Sequence, residues 1–279
     1  MGSEIRRMFL GKGFWMGLAV AMAGIVFGAA YPKIEGLLDT GKFVNMEAEA
    51  LKSQAMIFLL PLAAVLPWSD SFLLERQGGF LKSALPRTGR RVYVESKVFT
   101  VALGGFLAVF LAGTLMFFIY FAVFFPLEEQ GRFPWNSVWE LTEILLRCGM
   151  LGGIISTFGG ICGALTGSVY LAFGLPFVSY YFCVILRDRY FENALWLYPP
   201  QWIEGSAKWG ADSMGLWLFL LVFLGLVMVV HGGILYDRVS EICAGDPGGK
   251  GDKIFWRGLC AEGGGSYSEK RRGLRYCGK

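Results

Sequence analysis

The sequence predicts an all-α, multi-pass membrane protein of about six transmembrane helices, and three observations carry that expectation. The chain has 279 residues, of which 54% are hydrophobic and only 17% charged, with a mean hydropathy of +0.50. Soluble domains carry roughly a quarter charged residues. Six stretches, 13–31, 54–68, 98–125, 148–166, 168–186 and 214–236, contain no Asp, Glu, Lys or Arg, and crossing hydrocarbon takes about 20 apolar helical residues. Finally, Lys and Arg fall unevenly between the stretches. The segments 1–12, 69–97 and 237–279 hold 18 of them, and the alternate segments hold 8. The positive-inside rule puts the first set, and so both termini, in the cytoplasm, as an even number of passes requires.

Met1–Lys12 reads as a short basic arm, an interfacial helix through Ile5, Met8 and Phe9. Arg6, Arg7 and the run Gly28-Ala29-Ala30 also fit a signal peptide, but an apolar stretch of this length fits a retained first helix better. Residues 32–53 read as an external loop with acidic excess. The second stretch is short, its helix could start near Leu51, and it carries Pro61 and Pro67. Proline kinks a membrane helix whose freed backbone groups are satisfied by neighbours. Trp68 suits an interfacial anchor.

The connector Ser69–Lys97 is too elaborate for a simple turn. Asp70 and Ser71 can cap a short helix, and Phe72, Leu73, Phe80, Leu81 and Leu85 stand apolar among polar residues. Gly78-Gly79 bends the segment and Pro86 stops it. A second amphipathic piece, RRVYVESK, leads onward, so two short helices along the cytoplasmic surface are expected. A loop whose Arg and Lys bind lipid headgroups is the plainer alternative.

The third stretch ends in FFIYFAVFF, rings that face lipid or helper helices, with substrate stacking as the functional alternative. The external loop 126–147 carries Phe133, Pro134, Trp135 and Trp139, and then Glu140, Glu143 and Arg147 on one helical face. The fourth stretch repeats small residues four apart, at Gly149/Gly153, Gly159/Gly163 and Gly163/Gly167. Such spacing allows close helix packing, within the chain or at a dimer face or gate. Residues 148–186 are two helices or one long broken one. After Leu186, a Trp- and Tyr-rich segment with Pro199-Pro200 is expected to dip into the outer leaflet. His231, the sole histidine, reads as a packed polar residue, with a proton relay as the alternative. Residues 241–279 form a Gly-rich basic tail of weak periodicity.

The missing chemistry narrows the function. GDPGGKGDK at 245–253 lacks the spacing of a phosphate loop, and HExxH and GxSxG are absent. The six cysteines show no CxxC spacing, so neither a metal site nor in-chain catalysis is expected. The pI near 8.7 comes from the cytoplasmic segments and suits anionic lipid, not nucleic acid. The spans contain no acid, whereas proton- or sodium-coupled carriers bury carboxylates. Energy for uphill transport would have to arrive from another chain, through the connector.

The combination of six helices, both ends inside, and the connector ER-x-GG-x-LK-x-x-LP-x6-Y-x-x-SK resembles the membrane subunits of ABC-2 type transporters. The resemblance spans residues 1–240 as a transmembrane domain and leaves 241–279 as a separate tail. It implies a coupling helix between helices 2 and 3 that docks on an ATP-binding cassette subunit, here through Asp70, Phe72, Glu75, Arg76, Gly79, Phe80, Leu85 and Pro86. Tyr93 and Lys97 match the end of the same pattern. The basic arm resembles the family's amphipathic connecting helix, and Leu195–Trp202 its outer re-entrant region. It further implies a homodimer or a sister permease, two ATPase copies carrying ATP and Mg, and an exporter in the bacterial cytoplasmic membrane. No cofactor is expected in this chain. A non-transporting anchor, sensor or immunity-type scaffold is the alternative, and a passive channel is disfavoured because no span carries a polar stripe.

Overall fold

The computed structural model describes residues 2–31, 41–81, 85, 88–128, 133–191, 195–205 and 214–244. The described residues are helical and include no β-strand. Among the described residues ten α-helices can be given bounds, in order. They are α1 (Gly2–Leu10), α2 (Lys12–Gly28), α3 (Lys42–Lys52), α4 (Gln54–Val65), α5 (Ser71–Gln77), α6 (Arg90–Phe124), α7 (Trp135–Thr166), α8 (Val169–Tyr190), α9 (Pro199–Glu204) and α10 (Met214–Ala244). Four of them, α6, α7, α8 and α10, are long and apolar enough to cross a membrane. The bent pairs α1–α2, at 58°, and α3–α4, at 67°, raise the number to as many as six if each pair is one span.

The largest departure from the sequence reading is the second span. α4 has 12 residues, a rise of about 18 Å, well short of a hydrocarbon core near 30 Å. The chain before it is helix, not loop. Phe43, Val44, Met46, Glu47, Ala50 and Leu51 of α3 are buried against the bundle. Positions 43, 44, 47, 50 and 51 make one helical stripe, which KFVNMEAEALK hides because its residues average as polar. The break falls at Ser53, whose Oγ accepts from the Met56 N–H at 3.2 Å and caps α4.

The other end of α3 is held by Glu128. Its carboxylate, buried, accepts from the Gly41 and Phe43 N–H groups at 2.8 and 2.9 Å, an anion against a positive helix end. Glu128→Ala is expected to lower stability by about 1–2 kcal/mol, and Glu128→Gln by less, because one acceptor oxygen remains. Thermal unfolding of the detergent-solubilised protein measures both.

α6 runs for 35 residues, about 52 Å. RRVYVESK is therefore not a second surface helix but the opening turns of a long one, since nothing between Arg90 and Val98 breaks the helix. α7 begins well before Cys148, absorbing Glu140, Glu143 and Arg147. It is the central element, touching α3, α4, α6, α8 and α10, with most of its side chains buried. Residues 148–186 resolve into two helices. Gly167, at φ +68°, ends α7 in the left-handed region, and its N–H bonds the Gly163 carbonyl at 2.9 Å. α9 is short and buried, with Trp202 set edge-on to Phe219 and Phe223 of α10 at 5.2 and 5.7 Å. Helix α10 continues beyond residue 240 to Ala244; residues 245–279, the bulk of the predicted tail, lie outside the described residues.

The glycines of α7 are spent inside the chain. A Cβ at Gly149 would meet the Phe106 ring, at Gly153 the Ala102 carbonyl, and at Gly159 and Gly163 residue Ala172 of α8. These positions pack α7 on α6 and α8 rather than forming a free dimer face. Gly167 is a helix cap with open space around it. Gly160, not singled out by spacing, receives His231, whose ring would touch a Cβ there at 2.6 Å. That contact explains how the lone histidine is buried against α7.

Candidate functional site

At one end of the bundle the connector folds over the starts of α1 and α6. It is tied first to the central helix. The Ser69 hydroxyl donates to the Ser156 carbonyl at 3.0 Å, and the Ser156 hydroxyl donates to the Val101 carbonyl at 3.0 Å. One connector residue thereby joins α7 and α6. α5 follows, and its seven residues divide by helical face. Phe72, Leu73 and Glu75 point inward, whereas Leu74 is 54% exposed and Arg76 and Gln77 face outward.

Beneath α5 lies a closed ionic cluster. Glu75 Oε1 accepts from Arg7 Nη1 at 2.8 Å and lies 2.9 Å from Lys97 Nζ; its Oε2 accepts from the Tyr93 hydroxyl at 2.6 Å. Lys97 Nζ also donates to Glu4 Oε2 at 2.9 Å, and Arg7 bonds Glu4 Oε1 at 3.1 Å. Lys97 is 0% exposed and Glu75 5%. The ammonium sits 5.6 Å from the Trp68 ring centre and 5.7 Å from that of Tyr93, and the Arg7 guanidinium lies 4.8 Å over Phe80. Two acids and two bases leave no net charge, the condition under which ions are tolerated inside.

Local sequence makes this convergence. Glu4 and Arg7 are three apart on α1, and Tyr93 and Lys97 four apart on α6, so each pair shares a face. Burial pushes the Glu4 carboxyl upward, but the charges and hydrogen bonds of Lys97 and Arg7 outweigh it and hold it below the usual carboxylate range. Asp70 occupies the position before α5 without a side-chain cap bond, and burial raises its pKa.

The predicted docking residues therefore separate. Phe72 and Glu75 are interior and hold the helix in place. Arg76 is exposed, and its side chain makes no ion pair or hydrogen bond among the described residues. Gly79, at φ +69°, turns the chain in open space, and Phe80 beside it is 45% exposed. Leu85 packs on a small cluster that includes Phe72, Leu81, Tyr93 and Leu235. Pro86, with Lys82 and Arg87, lies outside the described residues. Arg90, the first residue of α6, is engaged. It bonds Ser240 at 2.9 Å and the Tyr236 hydroxyl at 2.6 Å, and stacks on the Tyr236 ring at 4.1 Å.

A cleft of about 490 Å³ opens beside α5, lined by Leu73, Arg76, Gln77, Leu165, Thr166, Gly167 and Arg238. Arg238 is held by Glu241 at 2.9 Å and by the Leu165 carbonyl at 3.2 Å. The outward side of the connector thus combines apolar Leu74 and Phe80 with a basic groove in which Arg238 is already engaged.

Glu4, Arg7 and Glu47 were not picked out from the sequence. Glu4 and Arg7 had a signal in their spacing on an amphipathic arm, but their partners come from residues 75 and 97. Glu47 had no signal at all. It is 0% exposed, at the opposite end of the bundle, in the segment 32–53 that lies between two of the acid-free stretches. Among the described residues no group of three or more His, Cys, Asp and Glu side chains is arranged to hold a metal ion.

No family model matches this chain, and a search of curated proteins finds no match.

Proposed function

We propose that the chain is the membrane-spanning permease subunit of an ATP-driven ABC-2 type transporter, an exporter of the bacterial cytoplasmic membrane. ATP would be hydrolysed by two separate cassette subunits, and the permease would pair with itself or a sister permease. The reading is carried by one observation, the ionic cluster that joins the connector helix α5 to α1 and to the base of α6.

Breaking a buried ion pair costs about 3–5 kcal/mol, so α5, α1 and the first turns of α6 are expected to move as one body. A push or pull on the exposed side of α5 would pass directly into a helix that crosses the bundle. That is the mechanical requirement for a subunit driven from outside. The surface offered to the driver is Leu74, Arg76, Gln77 and Phe80, an apolar ridge with a positive charge, suited to an acidic groove. Glu75 would serve from within, holding the ridge.

Expressing the chain with its genomic neighbours tests the reading. A phosphate-loop ATPase is expected to co-purify, and export in cells to require it. Leu74→Ala with Arg76→Glu should reduce the ATPase recovered by about tenfold without lowering the melting temperature. If no ATPase is recovered and export is unaffected by these changes, the anchor or scaffold reading replaces this one.

A further inference from the structure

We propose that Glu47 and the aromatic rings beside it form a binding site for a lipophilic organic cation, under the helix α3. As the identity of transported cargo the inference rests on the permease reading above; as a binding site it does not.

Glu47 is fully buried, and neither carboxylate oxygen has a hydrogen-bond partner among the described residues. Glu49, two positions on, faces out, so α3 had an exposed face available for its acids. At 47 an apolar side chain would complete the buried stripe of Phe43, Val44, Ala50 and Leu51. A carboxyl group there loses its hydration and gains no donor in return. A cation that arrives would supply the missing partner.

Among the described residues the surroundings contain no resident one. The faces of α2, α6 and α7 that line this core contribute Ile25, Val109, Met116, Leu141, Ile144 and Leu145, and the Tyr120 phenol on α6 lies within electrostatic range. Arg147 is engaged by Glu143 and the Ile203 carbonyl, and Lys42 and Lys52 are exposed.

One turn before Glu47, Phe43 meets Phe117, Phe121 and Phe125 at ring-centre distances of 5.8, 5.7 and 6.1 Å, and Phe121 stacks on Phe125 at 4.7 Å. A carboxylate one helical turn from a cluster of rings offers what recognises an organic cation with an apolar body, ion pairing at one point and cation–π contact at others. Access requires α3 to lift. Lifting it would part the buried stripe from the bundle between two fixed ends, the Glu128 cap and the 67° break at Ser53.

The test uses the full chain in lipid nanodiscs and tetraphenylphosphonium as the probe, with binding followed by equilibrium dialysis. Saturable binding is expected, with no competition from tetraphenylborate, which has the same shape and opposite charge. Glu47→Gln should weaken binding at least tenfold and Phe121→Ala about threefold to tenfold, with Glu47→Asp recovering part of the loss. Thermal melting establishes that each variant is folded. A folded wild type that does not bind saturably, or a Glu47→Gln variant that binds as well as wild type, overturns the proposal and leaves Glu47 a neutral structural acid. Binding needs no ATPase, so its loss and the failure of the ATPase to co-purify are separate outcomes.

Discussion

Lys97→Met is expected to destabilise the protein by about 3–5 kcal/mol, because it removes the cation that two buried carboxylates share. Lys97 Nζ lies 2.9 Å from both Glu4 Oε2 and Glu75 Oε1, and Met matches the chain as far as Cε while removing the ammonium group and its donors. What remains is Arg7, whose side chain is 43% exposed, facing two acids. The mutant should therefore unfold at markedly lower temperature, and α1 should become protease-sensitive. Adding Glu75→Gln to Lys97→Met should recover part of the loss, because one acid and one base are then removed together; a double-mutant cycle gives the coupling. Acid should act in the same direction as the mutation. The Glu4 pKa is depressed in the fold, so its stabilisation is present above the ordinary Glu value and is lost as pH falls through the folded one. Wild-type melting temperature is expected to fall below about pH 4, and the Lys97→Met variant to show a shallower fall. A Lys97→Met protein that melts like wild type would show that the cluster is not what fixes α5.

The extent to which this architecture can be read from the chain follows what each segment's composition reveals. The bare apolar runs announce α6, α7, α8 and α10, since a stretch such as 214–236 has no other stable setting. Composition fails where a helix is buried by position and not by average character. KFVNMEAEALK looks external, yet its stripe at 43, 44, 47, 50 and 51 is hidden in the bundle, and a carboxylate goes with it. The helix breaks at Ser53 and Gly167 were similarly faint, one a local cap and the other a single left-handed residue. At the candidate site the sequence singled out the connector's residues but not their directions. Glu75 and Arg76 are neighbours, one buried in a cluster and the other in open solvent, and only the phase of a seven-residue helix separates them. Partners 68 and 93 residues apart, Arg7 with Glu75 and Glu4 with Lys97, leave no pattern in one sequence.

Gly105→Ala should be as damaging as many core truncations, although it adds one methyl group. α6 and α7 cross there at backbone contact. A Cβ on Gly105 would overlap Ser156 Cβ and stand 2.5 Å from the Gly152 carbonyl oxygen, and a Cβ on Gly152 would stand 2.7 Å from the Gly105 oxygen. Neither obstacle is the end of a flexible side chain, so the helices must part. Separation would cost about 3 kcal/mol, at the high end for overpacking, and would reach beyond stability. Ser156 is the residue that accepts Ser69 from the connector and donates to Val101, so displacing it loosens the connector's anchor to both helices. Gly225→Ala is the matched control. Gly225 lies within α10 with nothing within 4 Å of an added Cβ, and alanine there should be neutral or stabilising by about 0.5–1 kcal/mol. The melting temperature should fall for Gly105→Ala and hold or rise for Gly225→Ala, and ATPase recovery on co-purification should drop for Gly105→Ala alone. Equal melting temperatures would mean that the α6–α7 crossing yields without cost, and would remove the Ser69–Ser156 link as the connector's anchor.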